Sequence, residues 1–85
     1  MGIPGIQFQP RWKEELVCTS PMGSFVLEMP MGVVSVYFPT EPAWGKRAPK
    51  WAAPYWAEIL SQLRAWCGSN GIALHVDDDA EVYEV

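Results

Sequence analysis

The apolar spacing across residues 54–68 constrains this chain more than any other stretch. Trp56, Ile59, Leu60, Leu63, Trp66 and Cys67 recur at intervals that place them on one stripe of an α-helix. Glu58, Ser61, Gln62 and Arg64 fall on the other side, so the helix has a dry face and a wet face. Pro54 suits the first turn, where a fixed φ helps and a missing N–H is harmless. Gly68 suits the left-handed position just past the end. A helix this short is marginal alone and needs an apolar surface for its stripe.

The flanking sequence supplies that surface as short strands. Residues 14–19 and 24–29 read as strands around a Ser-Pro-Met-Gly turn. In the second of them Phe25, Leu27 and Met29 alternate with Val26 and Glu28. Residues 33–38 are almost entirely β-branched and aromatic, with Val34, Val36 and Phe38 on one face and Ser35 and Tyr37 on the other. Tight turns between these segments predict a three-stranded antiparallel meander. Beyond the helix, residues 72–76 read as a fourth strand with Ile72, Leu74 and Val76 on one face. Residues 80–85 read as a short fifth strand, an edge guarded by Glu81 and Glu84.

Two regions lack periodicity. Residues 1–12 hold two Pro and two Gly and are expected to form an irregular arm, with Phe8 and Trp12 tucked onto the core. Residues 39–53 hold Pro39, Pro42 and Pro49 and are expected to form a long connection with one helical turn at 49–52. The resulting order is β-β-β-α-β, with a further β at the end. This predicts a single α+β domain over residues 1–85, a mostly antiparallel sheet of three to five strands with one α-helix on one face.

Composition narrows the function classes. An 85-residue chain has a thin core, which five Trp, three Tyr and three Phe thicken. The first residues carry no charged segment leading into a long apolar run, and no stretch is long and apolar enough to span a bilayer. The expected compartment is therefore the cytoplasm, with Cys18 and Cys67 as reduced thiols. A net charge of −4 does not mark a nucleic-acid binder. Its distribution is uneven. Arg11, Lys13, Lys46, Arg47 and Lys50 precede the helix, while Asp77, Asp78, Asp79, Glu81 and Glu84 crowd the end.

Three groups of residues invite chemistry. Asp77, Asp78 and Asp79 resemble metal ligands only in type: consecutive carboxylates on a strand face alternate sides, and no Ca²⁺-loop spacing accompanies them. A solvated turn is the expected role, and no metal or cofactor is expected. Cys67 and His75 hold the residue types of a thiolate–base pair, but Cys67 lies on the apolar stripe, where a thiol is inert. The third group is Ala-Trp-Gly-Lys-Arg-Ala-Pro-Lys-Trp, which gathers Trp44, Lys46, Arg47, Lys50 and Trp51 on the long connection.

Trp and Arg are favoured anchors of protein interfaces, and a proline-stiffened loop presents them at little ordering cost. Trp44, Lys46, Arg47 and Trp51 are thus the expected contact residues for an acidic or mixed protein partner. The expected function is a non-catalytic protein–protein interaction module, of the size used by adaptors, immunity or antitoxin proteins and phage-type inhibitors. The alternative is a single-stranded nucleic-acid binder using residues 44–51, with bases stacked on the rings. A thiol-dependent enzyme centred on Cys67 and His75 comes third. The strand at 33–38 or that at 80–85 would pair across a two-fold axis if its edge is open, and homodimer and monomer weigh evenly.

Overall fold

A computed structural model describes residues 5–11, 14–30, 32 and 34–84. Strand β1 (Gln7–Arg11) pairs antiparallel with β2 (Glu15–Ser20), and β2 pairs antiparallel with β3 (Gly23–Glu28). The register sets Phe8 opposite Cys18, Cys18 opposite Phe25 and Leu16 opposite Leu27. Those side chains therefore share one face of the sheet, and Leu16, Cys18, Phe25 and Leu27 are fully buried there. The strand β1 corrects the expectation of an irregular arm across residues 1–12. Gln-Phe-Gln-Pro-Arg has no strand pattern of its own, and β2 supplies its order by pairing. Pro10 is tolerated because β1 is an edge strand. Trp12 lies outside the described residues.

The next strand, β4 (Ser35–Pro39), does not continue a meander. It starts a second sheet. The chain runs from β4 into α1 (Glu41–Arg47), a 3₁₀ turn (Ala53–Tyr55) and α2 (Trp56–Ser69), and returns as β5 (Ala73–Asp77) parallel to β4. The last strand, β6 (Val82–Glu84), goes back to the first sheet and pairs antiparallel with β3. The result is an α+β fold of a four-stranded antiparallel sheet, a two-stranded parallel sheet and two α-helices. The reason for the parallel pairing is legible in β4, where Ser35, Val36, Phe38 and Pro39 are all buried. A strand covered on both faces suits a βαβ crossover, and the 33 residues that separate Pro39 from Ala73 leave room for its helices. Val34 precedes this strand and is 54% exposed, so it does not line the core as expected. Val33 lies outside the described residues.

The stripe on α2 faces the core as its spacing implies. Ile59, Leu63 and Cys67 are buried, and Trp56, Leu60 and Trp66 pack half-buried beside them. Trp66 meets Phe8 of β1 with ring centroids 5.7 Å apart. The indole N–H of Trp56 donates to the Pro39 carbonyl at 3.0 Å, which joins the helix to the end of β4. Gln62 Oε1 accepts from the Ile6 N–H at 2.7 Å, which ties α2 to the residue before β1. The left-handed glycine is Gly71 (φ 65°), not Gly68, because the helix runs on through Ser69. The Ile72 N–H then donates back to the Cys67 carbonyl at 2.9 Å and closes that end.

The connection at 39–53 is also more regular than expected, since α1 lies inside it. Pro42 in the first turn, Glu41 at the positive end and Lys46 and Arg47 at the negative end are all favourable for a helix. The turn at 49–52 is present, with the N–H groups of Ala52 and Ala53 both donating to the Pro49 carbonyl. Among the described residues no helix is long and apolar enough to cross a membrane.

Candidate functional site

The five aromatic and basic residues of the segment have different surroundings. Trp44 is fully buried on the inner side of α1 beside Ala43. Its ring lies 4.9 Å from Phe38 and 5.3 Å, edge-on, from Phe25, and its Nε1–H donates to the Ala52 carbonyl at 3.1 Å. That bond ties α1 to the turn leading into α2. Trp44 is therefore a core residue, which corrects the expectation that it meets a partner at the surface. A short helix over a sheet must turn its largest apolar side chain inward, and here that side chain is Trp44.

Trp51 is half-buried, 6.0 Å from Phe25, and its indole covers Gly23 at the start of β3. Arg47 reaches across to the turn that follows β5. Its Nη1 donates to the carbonyls of Asp78 and of Ala80, the latter at 3.1 Å, and its Nε lies 3.7 Å from Glu81 Oε1. Thr40 Oγ1 donates to Asp78 Oδ1 in the same place. The guanidinium thus holds the β5–β6 turn against the end of α1. Lys46 and Lys50 are exposed. The segment is a brace between the two sheets, with lysines on its outer side.

The other two groups do not assemble a reactive centre. Asp77 Oδ1 accepts from the Asp79 N–H at 2.7 Å, an Asx turn that satisfies one carboxylate locally. Among the described residues no three His, Cys, Asp or Glu side chains converge on a point that could hold a metal. Cys67 is buried on the inner face of α2, and burial pushes the thiols of Cys18 and Cys67 up from the ordinary range. His75 lies on the solvent side of β5, stacked on Tyr37 with centroids 5.0 Å apart. Neither Cys67 nor His75 hydrogen-bonds the other.

A different feature stands out on the surface. Among the described residues β5 pairs only with β4, which leaves its other edge without a strand partner. The Ala73 N–H donates to the Val34 carbonyl at 3.4 Å. With Ser35 opposite Ala73 and Tyr37 opposite His75, the parallel ladder turns the backbone groups of Ala73, His75 and Asp77 toward β4. The N–H and C=O groups of Leu74 and Val76 then face outward, and they have no partner among the described residues. Val76 is 41% exposed beside this edge.

The two outer edges of the first sheet are blunted. On β1, Pro10 removes one donor and Arg11 pairs with Glu15 at 2.6 Å. On β6 the strand is three residues long and carries Glu84. No such device sits between Ala73 and Val76. The sequence carried this signal as an alternation over residues 72–76 without Pro or Lys, whereas the edges expected to pair lie at 33–38 and 80–85.

Elsewhere, an open hollow of about 360 Å³ is lined by Gly5, Gln7, Thr19, Ser20 and Pro21, none of them titratable in its side chain. No family model, curated protein or solved structure matches this chain.

Proposed function

We propose that this protein is a non-catalytic protein–protein interaction module whose contact element is the open edge of β5. The observation that supports the reading is the row of outward N–H and C=O groups at Leu74 and Val76, beside the exposed apolar side chain of Val76. Strand addition to such an edge gains affinity from main-chain hydrogen bonds and specificity from alternate side chains. The carboxylates of Asp77, Asp78 and Asp79 stand at the strand's carboxyl end, where Arg47 of α1 braces the turn. They are the charged rim of the contact.

Capture experiments test the reading. Immobilised wild-type chain should retain a protein that Val76→Pro loses, because proline at 76 removes an outward N–H and no bond to β4. Retention should persist at high salt. Retention of nucleic acid that collapses steeply with salt would instead favour single-stranded nucleic acid as the ligand. Equal behaviour of the wild type and Val76→Pro would remove β5 as the contact element.

A further inference from the structure

The edge of β5 has a pattern that a second copy of the same strand satisfies. We propose that the chain forms a two-fold homodimer in which β5 pairs antiparallel with β5 of the other copy, centred on His75. This inference rests on the reading of β5 as the contact strand and adds the identity of the partner. In that register Leu74 of each copy faces Val76 of the other. Those are the residues whose N–H and C=O groups point outward, so every free backbone group between them finds a partner. A register shifted by one residue would set these groups against groups already bonded to β4.

Charge and packing agree with the same register. Antiparallel pairing sends the two Asp77–Asp79 turns to opposite ends of the joint, each beside the uncharged Gly71–Ala73 segment of the other copy. Parallel pairing would set the two acidic turns side by side, which is unfavourable for like charges. Across the joint Val76 lies against Leu74, and Leu74 already packs on the core, so the apolar layer continues from one copy to the next. The two-stranded β4–β5 sheet becomes four-stranded. Two strands alone are marginal, and a wider sheet with one apolar face is stable. A closed two-fold pair also uses up the β5 edge of each copy, so no third copy can add there.

Sedimentation or light scattering at roughly 100 µM suits the small interface that one strand pair makes. The wild-type chain should show twice its chain mass. His75→Glu and His75→Lys place like charges face to face across the axis, and each alone should run as a monomer. An equimolar mixture of the two should regain the doubled mass, because the opposed charges then attract. His75 is exposed, so these variants should keep the wild-type circular dichroism. A monomeric wild type overturns the proposal, as does a dimer that both single-charge variants leave intact. A monomeric wild type that still captures another protein through a Val76→Pro-sensitive contact ends the homodimer and leaves the interaction reading standing. One that captures nothing in this way ends both.

Discussion

The indole of Trp51 lies directly over Gly23, so that a Cβ built on Gly23 would come 2.5 Å from Trp51 Nε1. Gly23 also has φ +152°, a conformation that side chains rarely adopt. The hairpin between β2 and β3 is thereby matched to the connection between α1 and α2. Gly23→Ala should lower stability by about 1–3 kcal/mol through forced repacking. Urea titration of a double-mutant cycle checks the cause. Trp51→Ala should cost less in the Gly23→Ala background than in the wild type, since the two effects share one contact.

Trp44 gives the clearest contrast between a surface role and a structural one. Its ring is fully buried between Phe38 and Phe25. Trp44→Ala should cost about 3–5 kcal/mol in urea unfolding, as large aromatic deletions in cores do. Trp44→Phe keeps most of the packing and loses the bond to the Ala52 carbonyl, which still accepts from the Tyr55 N–H, so it should cost about 0.5–1.5 kcal/mol. A wild-type urea midpoint for Trp44→Ala would return this residue to the surface.

These two tryptophans show where the sequence was legible and where it was not. Composition marked the stretch from Trp44 to Trp51 as unusual, and it is, but composition carries no direction. Pro42 and Gly45 hid α1, although Thr40, Glu41, Pro42, Lys46 and Arg47 together form a sound set of helix-end signals. The α2 stripe was readable because a 3.6-residue period is local. The pairing of β4 was not, because parallel and antiparallel partners differ in chain path rather than in local pattern. Its near-continuous apolar run was the available hint. β1 was hidden because its order comes from β2. The open edge of β5 has no local signature, because it depends on β4 being its single strand neighbour among the described residues.

Arg47 braces the turn between β5 and β6 by donating to two backbone carbonyls. Arg47→Met keeps the aliphatic stem and removes the donors, and should cost about 1–2 kcal/mol. Glu81→Gln should cost less than about 0.5 kcal/mol, because that ion pair is half in water at 3.7 Å. Thermal melts of both variants in low and high salt check the ranking. An equal loss from Glu81→Gln would transfer the brace from hydrogen bonds to charge.

Burial pushes the thiols of Cys18 and Cys67 up, with desolvation as the leading cause. The folded state therefore holds these protons more tightly than the unfolded chain. Above the ordinary thiol value of about 9 the unfolded chain binds fewer protons, so stability is full below that pH and falls as pH rises past it. A thiol reagent at pH 8 should label the native chain far more slowly than the denatured one. Cys18→Ala with Cys67→Ala, compared with the wild type from pH 8 to 10, should remove the thiol share of that pH slope. An unchanged slope would assign the fall to other groups.

Amide hydrogen exchange at Leu74 and Val76 tests the role of β5 most directly. Their N–H groups face away from β4, while that of His75 faces it. At high protein concentration both outward amides should be protected, and on dilution they should exchange nearly as freely as in an unfolded chain. The His75 amide should stay protected throughout. Leu74 and Val76 amides that exchange freely at every concentration, beside a protected His75, would contradict β5 as the strand where two copies meet.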